Sequence, residues 1–291
     1  MPPPPRSCRS CSRPRADARF VLEELLVDAI DDLEMARQLQ LSLLPDQYPC
    51  FPHSASAEQS ALGFHHRFCP AAELAGDFFS VLPLSDTQAG VFICDVMGHG
   101  VRSALVTAML RAMVDNEALR APSPGQFLAE MNQRLARLLR PTDGPMYATA
   151  FYMIVDAATA TVEYATAGHP RPLHLQRRVG RVAPMETPPN SGPDLGLFEG
   201  ATYKCSRASL TTDDVLLLFT DGLFEVPGAE GSGDFGKARL LEAARERMAL
   251  PVPDLCAGII ADVRQFAGGG DFDDDVCLLA VEVKRLSGAQ N

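Results

Sequence analysis

The sequence predicts an α+β fold in which antiparallel sheets are covered by helices on the outside. Strand-like apolar runs, which end at Gly, Pro or Asp, occur in groups rather than singly. Two pairs of consecutive helical segments separate these groups. The resulting order does not alternate strand and helix as parallel βαβ units would, so the strands are expected to pair antiparallel.

The N-terminal part of the chain has two segments of different character. Residues 1–18 are rich in Pro, Arg and Ser, which predicts a disordered tail. Cys8 and Cys11 form a C-x-x-C pair there, but no second pair accompanies them, so a zinc site is not indicated. The following segment, 19–45, is predicted to be a linker helix covering 20–44, which Pro45 ends.

The linker helix carries an apolar seam that recurs in steps of four and three residues. The seam consists of Leu22, Leu26, Ala29, Leu33, Ala36, Gln40 and Leu43. Two interpretations remain open. The helix packs against its own domain, or it forms a homodimer in which Gln40 is the polar core position that fixes the register.

The rest of the chain contains the predicted sheet strands and their covering helices. Strand-like runs lie at 65–71, 76–84, 89–96, 148–168, 171–176, 214–222 and 276–283. Helical segments lie at 101–119, 123–140, 234–248 and 251–267. The glycine-rich stretch at 231–238 matches a phosphate loop only in part, because Ala238 stands where Ser or Thr would hold magnesium.

Composition excludes several classes of partner. The 291 residues carry a formal net charge of −11, so the chain lacks the basic surface that nucleic acid requires. It has no polybasic segment for an anionic membrane and no apolar run of about eighteen residues. No apolar segment of signal-peptide length follows the basic N-terminus. We expect a cytoplasmic protein that binds neither nucleic acid nor membrane.

Aspartates stand at the ends of several predicted strands. Asp77 and Asp95 flank two of them, Asp221 ends a third, and Asp274 and Asp275 precede the last. Each alone is typical of a solvated turn. If they converge, carboxylates about 4 Å apart repel by roughly 4 kcal/mol at an effective dielectric constant of 20, so cations would have to lie among them. Carboxylate oxygens favour Mg²⁺ or Mn²⁺, which can activate water and neutralise a phosphate.

Two neighbouring stretches could assist such a site. Gly76, directly before Asp77, would allow the backbone to approach the ions closely. His99 lies between two glycines just before a predicted helix. It could donate a proton to a leaving alkoxide, or it could simply cap the helix or contact a carboxylate.

The motifs, taken in order, resemble the SpoIIE/RsbU-type bacterial branch of the PP2C (PPM) serine/threonine phosphatases. The resemblance covers about residues 38–283. It is carried by "QLQLSLLP", "LAGDFFSV", "CDVMGHGVRSALVTAML", "YATAGHPRPLHL", "LLLFTDGLFEV" and "DDDVCLL". It implies a four-layer αββα sandwich of two antiparallel sheets, flanked by helix pairs, with residues 46–285 as the phosphatase domain and 286–291 as a tail.

The resemblance also implies a site with two Mn²⁺ or Mg²⁺ ions. Asp95 would bridge both ions, and the carbonyl of Val96 would complete the ligands of one. Asp221 and Asp274 would bind the other, with Asp275 as the alternative to Asp274. Asp77 would bind an ion directly or through water. Gly76, His99 and Asp275 would surround these ligands.

The implied activity is hydrolysis of phosphoserine or phosphothreonine on a partner protein. The family suggests a phosphorylated STAS-domain anti-sigma-factor antagonist as the substrate, within a partner-switching pathway. Control is expected from the helix at 20–44 or from an upstream regulatory protein. Two alternatives are a pseudophosphatase that only binds a phosphoprotein and a phosphomonoesterase acting on small molecules.

Overall fold

The computed structural model describes residues 18–118, 120–139, 146–228 and 233–286, with side chains from residue 24 onward. Apart from Ala18 and Leu286, the predicted tails at 1–18 and 286–291 lie outside the described residues, as do Cys8 and Cys11. Within the described ranges, no helix combines the length and the apolar character that crossing a membrane requires.

The described strands form two five-stranded sheets in which every pairing is antiparallel. The strands are β1 (Leu62–Cys69), β2 (Asp77–Pro83), β3 (Gln88–Val96), β4 (Ala148–Asp156), β5 (Thr161–Ala167), β6 (Leu173–Gln176), β7 (Arg181–Pro184), β8 (Ser206–Ser209), β9 (Val215–Phe219) and β10 (Val276–Val283). One sheet has the order β1-β10-β9-β6-β7, and the other has the order β2-β3-β4-β5-β8.

Helices cover the outer face of each sheet. The described α-helices are α1 (Ala18–Leu41), α2 (Val101–Ala118), α3 (Pro124–Leu139), α4 (Gly236–Arg247) and α5 (Val252–Phe266). The α2–α3 pair packs on the β2–β5 sheet, and the α4–α5 pair packs on the sheet that contains β9 and β10. The layers are therefore helix pair, sheet, sheet and helix pair, which confirms the predicted αββα sandwich.

Alternation along the strands fills both sides of each sheet. In β9, Leu216 and Leu218 point into the core between the sheets, whereas Leu217 and Phe219 pack under α4 and α5. All five residues of β9 are buried. A strand covered on both faces reads as a continuous apolar run, and this pattern made β9 and β10 visible in the sequence.

Two short strands were not predicted. β7 and β8 have four residues each, and each lies at the edge of its sheet. Half-buried and exposed residues alternate in β8, which contains two serines and an arginine. An edge strand of this kind has little apolar sequence signal, because one face is open and one side is unpaired.

The linker helix α1 packs on the domain only at its C-terminal end. Leu33, Ala36, Gln40 and Leu43 are half-buried, whereas Leu26 in the same predicted seam is 54% exposed. The helix ends at Leu41, and the next residues continue with hydrogen bonds to the carbonyls of Gln38 and Gln40. The C-terminal half of α1 thus packs against its own domain, which was the first of the two interpretations.

The side chain of Gln40 forms two hydrogen bonds within its own chain. Its Nε2 donates to the carbonyl oxygen of Ala75 at 2.7 Å, and its Oε1 accepts from the Ala75 N–H at 2.8 Å. This paired bond contradicts the interpretation of Gln40 as the polar core position of a dimer seam. It fixes the end of α1 to the residue two positions before Asp77.

We predict that Gln40→Ala lowers the free energy of unfolding by about 1–3 kcal/mol, because it leaves both backbone groups of buried Ala75 without their partner. The matched control is Gln38→Ala, since Gln38 is exposed and bonds only Glu34 one turn away. We expect the control to change stability by less than about 0.5 kcal/mol. Urea unfolding followed by circular dichroism measures both, and equal midpoints would show that the bond is not stabilising.

Candidate active site

Four acidic strand ends from both sheets meet at one edge of the sandwich. Asp77 at the start of β2 is the register partner of Asp95 at the end of β3. Asp221 follows β9 and begins a single 3₁₀ turn. Asp274 lies just before β10, which pairs antiparallel with β9, so the end of β9 and the start of β10 share this edge.

A cavity of about 610 Å³ opens between these strand ends. Its lining consists of Asp95, Met97, Gly98, His99, Tyr147, Thr149, Asp194, Asp221, Asp273 and Asp274. We call this space the acidic cavity. Three of the four predicted catalytic aspartates line it, whereas Asp77 does not.

Asp77 lies behind the cavity and connects the two sheets. Its side chain is only 2% exposed, and its Oδ2 accepts a hydrogen bond from the Thr220 hydroxyl at 2.7 Å. The same hydroxyl oxygen accepts from the Cys277 N–H at 2.9 Å. Asp77 of one sheet is therefore held by the end of β9 and the start of β10 in the other.

Asp274 and Asp275 have different environments although they are adjacent. Asp275 is buried, and its two carboxylate oxygens accept from the N–H groups of Ala71 and Gly76 at 2.8 and 2.6 Å. Asp274 is exposed and faces the acidic cavity. Asp275 thus holds the loop before β2 in place, and Asp274 leaves at least one carboxylate oxygen for the cavity.

Gly76 is required by a close backbone contact. A Cβ atom at this position would lie 2.6 Å from the Val96 carbonyl oxygen, 2.9 Å from the Gly98 carbonyl oxygen and 3.6 Å from Asp95 Oδ1. Val96 itself is buried and does not line the cavity. Its carbonyl oxygen faces Gly76 from the same side as Asp95, and the Val96 N–H donates back to the Gly76 carbonyl at 3.2 Å.

His99 lies on the exposed turn that joins β3 to α2. Gly98 and Gly100 on either side have φ angles of +81° and +89°, a left-handed conformation that favours glycine. The turn presents His99 to the rim of the acidic cavity. Burial raises the pKa of nearby Asp275, and the hydrogen bonds from the Ala71 and Gly76 N–H groups oppose that shift.

Mutual repulsion and burial raise the pKa values of the clustered carboxyls. Burial and the charges of Asp221 and Asp274 raise the pKa of Asp95 to about 7. Burial and the charge of Asp95 raise the pKa of Asp77 well above its usual range, and burial with Asp274 raises that of Asp221. In the described part of the chain, no Lys or Arg forms an ion pair with any of these carboxylates.

The donor set fits hard divalent cations. Among the described residues, no three His, Cys, Asp or Glu side chains are arranged to hold one ion. Mg²⁺ does not need such a cage, because it usually binds one or two carboxylates and keeps several waters. Uncompensated carboxylates from separate elements around a cavity with room for ions and several waters meet that requirement, and the scarcity of His and Cys disfavours zinc.

Asp194 is a cavity residue that the sequence analysis missed. It lies in the irregular segment between β7 and β8, so the strand-end criterion did not find it. Paired hydrogen bonds between Leu195 and Ala148 fix it beside β4. Gly168 leaves space for its carboxylate, since a Cβ there would lie 1.6 Å from Asp194 Oδ1. The only local signal was a Gly-Pro-Asp turn.

Comparison with known proteins identifies relatives of this chain. Residues 85–284 match the family described as Stage II sporulation protein E (SpoIIE). The phosphoserine phosphatase RsbP of Bacillus subtilis is 28% identical over 254 residues, which cover 87% of this chain and 58% of RsbP. The phosphoserine phosphatase RsbU of the same species is 25% identical over 194 residues, covering 67% and 53%. The chain thus spans little more than half the length of these two relatives.

Solved structures show the same fold. The SiaA-PP2C domain of Pseudomonas aeruginosa has a TM-score of 0.74 at 22% identity, covering 89% of this chain and 98% of that domain. The catalytic domain of the serine/threonine protein phosphatase PstP, solved with two manganese ions, has a TM-score of 0.52 at 16% identity, covering 76% and 97%.

We predict that the metal-free protein loses stability as pH rises from about 5 to 7.5. Burial and neighbouring carboxylates raise the pKa of Asp95 to about 7 in the folded state, so the folded chain binds more protons than the unfolded chain in this range. Asp95→Asn should show a smaller loss and should be at least as stable as wild type at pH 7.5. Melting temperatures in chelator at the two pH values measure this.

The control for that experiment is Asp46→Asn, because Asp46 is exposed and remote from the strand ends. It should follow the wild-type pH dependence. A wild-type protein that becomes more stable across the same interval in chelator would contradict the crowding of carboxylates.

Proposed function

Because this chain belongs to the SpoIIE family, we propose that it is a metal-dependent protein serine/threonine phosphatase of the PP2C type. The acidic cavity carries the proposal, since it gathers uncompensated carboxylates from both sheets at one edge. The likeness to RsbP and RsbU, which are named phosphoserine phosphatases, supports the same activity. Residues 46–285 would form the phosphatase domain.

We assign the ion ligands to the residues around the cavity. Asp95 lies between the other carboxylates and is the candidate for bridging two ions, with the Val96 carbonyl beside it. Asp221 and Asp274 would hold the second ion, and Asp77 would act through water because it does not line the cavity. The two manganese ions in PstP support Mn²⁺ or Mg²⁺ here. When bound, such ions supply a water of lowered pKa and neutralise phosphate charge.

The remaining residues hold and orient these groups. Asp275 fixes Gly76 and thereby the backbone before Asp77, and Thr220 fixes the Asp77 carboxylate. His99 lines the cavity, and we propose that it would either give a proton to the leaving oxygen of the substrate side chain or contact a carboxylate. No protein nucleophile is needed when water attacks the phosphorus in line.

The proposed substrate is a phosphorylated STAS-domain anti-sigma-factor antagonist, acting in a partner-switching pathway. The support is the likeness to RsbP and RsbU together with the open, exposed position of His99 and Met97 on the cavity rim. An exposed site of this kind can accept a side chain presented on the surface of a folded protein. An upstream regulatory protein would then control when the substrate is dephosphorylated.

The linker helix is proposed as the element for dimerisation and control. Its N-terminal half presents apolar side chains to solvent, with Leu26 54% and Ile30 63% exposed. Its C-terminal end reaches the site through the Gln40–Ala75 bond, and Leu43 packs beside α2 and α3. The Gln40 contact thus connects α1 to the backbone two residues before Asp77.

We predict that Asp95→Asn, Asp221→Asn and Asp274→Asn each lower phosphate release by at least about 100-fold, because each removes an ion ligand. The assay compares a phosphoserine protein and p-nitrophenyl phosphate, with Mn²⁺ and with chelator. Preference for the phosphoprotein separates a protein phosphatase from a small-molecule phosphomonoesterase. Binding of the phosphoprotein without phosphate release would indicate a pseudophosphatase.

Asp275→Asn is the matched comparison for Asp274→Asn. It loses one of two acceptors for backbone N–H groups, so it should destabilise the metal-free protein, whereas Asp274→Asn should not. Full activity in Asp274→Asn would remove this residue from the ligand set.

We predict that a truncated protein beginning at Pro45 is monomeric and differs from the full chain in activity or in its response to a partner. The reason is that it lacks both the exposed apolar half of α1 and Gln40. Light scattering and phosphate release measure the two properties. A truncated protein that stays dimeric, or one that is monomeric with unchanged activity and response, would contradict the role of α1.

A further inference from the structure

A second cavity, of about 460 Å³, adjoins the acidic cavity. The two share Thr149 and Asp221 in their linings, so they lie side by side at these residues. Beyond the shared wall the lining is mainly apolar, and it includes Leu173, Phe219, Phe224 and Leu241. We call this second space the basic cleft, because Arg171 and Lys237 also line it.

Among the described residues, the two cations of the basic cleft form no salt bridge. Arg171 and Lys237 are exposed, and neither forms an ion pair with an acidic side chain in the part of the chain that the structure describes. Lys237 Nζ lies 4.7 Å from the centroid of the Phe224 ring, a favourable cation–π contact. The cation is thus held over the apolar floor of the cleft, which Phe224 forms with only 4% exposure.

The other titratable residues of the cleft do not cancel this charge. Glu225 also lines the cleft and is exposed. Burial lowers the pKa of His169 to about 3, so this ring, 2.8 Å from the Thr149 hydroxyl through Nδ1, is neutral. With Asp221 assigned to the ions, Arg171 and Lys237 outnumber Glu225 and the cleft is positive.

We propose that the basic cleft binds the polypeptide segment next to the phosphorylated side chain of the substrate protein. An apolar side chain of that segment packs on Phe224 and Leu241, and an acidic side chain pairs with Arg171 and Lys237. The inference rests on the proposed phosphatase function. The occupant is a peptide segment because the cleft lies directly beside the cavity that would hold the phosphate, and the cations Arg171 and Lys237 complement an acidic segment.

The experiment uses the full chain with Mn²⁺ and three nine-residue phosphoserine peptides. One peptide has Asp and Leu on the amino side of the phosphoserine, one has them on the carboxyl side, and the third has Ala at these positions. We expect wild type to hydrolyse one acidic peptide with a kcat/KM about fivefold or more above that of the alanine peptide. Arg171→Ala and Lys237→Ala should each reduce this preference by about two- to fivefold, mainly through KM.

The controls are Arg245→Ala and Arg178→Ala, which remove exposed cations elsewhere that pair with Glu242 and Asp213. They should keep the wild-type preference. The outcome is decided by the ratio of kcat/KM for the preferred acidic peptide to kcat/KM for the alanine peptide. A single rate does not decide it, because Lys237 also influences Asp221. Arg171→Glu should shift the preference to a peptide with Lys in place of Asp, which a merely structural role would not do.

Two failures can be distinguished. If wild type hydrolyses p-nitrophenyl phosphate or any phosphopeptide but shows no acidic preference, or if the variants keep that preference, the basic cleft is not a substrate subsite. If wild type releases no phosphate from any of these compounds with Mn²⁺, the proposed function itself fails and the cleft loses its rationale.

Discussion

The crowding of carboxylates at one edge of the sandwich is the constraint on which the rest of the structure depends. Asp95 faces Asp77 within its own sheet and Asp221 and Asp274 from the other. Carboxylates about 4 Å apart repel by roughly 4 kcal/mol at an effective dielectric constant of 20, a large part of a typical domain's 5–15 kcal/mol of stability. Without cations the chain relieves this repulsion by holding protons, as the raised pKa of Asp95 indicates.

Hydrogen bonds with backbone groups and with a hydroxyl group hold the elements that carry these carboxylates in position. Asp275 accepts from Gly76, which is 199 residues away in the sequence, and Thr220 donates to Asp77 across the two sheets. Gln40 joins α1 to the same loop through Ala75. Three elements distant in sequence therefore meet at the backbone before β2. A change in any of them alters the position of Asp77 without touching a charged group of the cavity.

Under the proposed function, the acidic cavity and the basic cleft would have different roles in a phosphatase site. The first has the carboxylates that suit ions and a phosphate, and the second has cations over an apolar floor that suit a polypeptide. Thr149 and Asp221 line both spaces. They would therefore set the distance between the proposed ion site and the proposed peptide site. Such a division would allow the proposed phosphatase to prefer one protein substrate over a small phosphoester.

The sequence by itself determined the main order of strands and helices, the class of antiparallel sheets covered by helices, and the acidic strand ends. These features follow from local signals, namely apolar runs buried on both faces in β9 and β10, helical periodicity, and Asp beside Gly. The short edge strands β7 and β8 were not predicted, because much of their surface is exposed and their apolar pattern is weak. Only the tertiary structure showed that Asp194 lines the cavity, that Asp275 accepts from a backbone N–H group and that Gln40 bonds Ala75. Each of these depends on contacts between residues far apart in the chain.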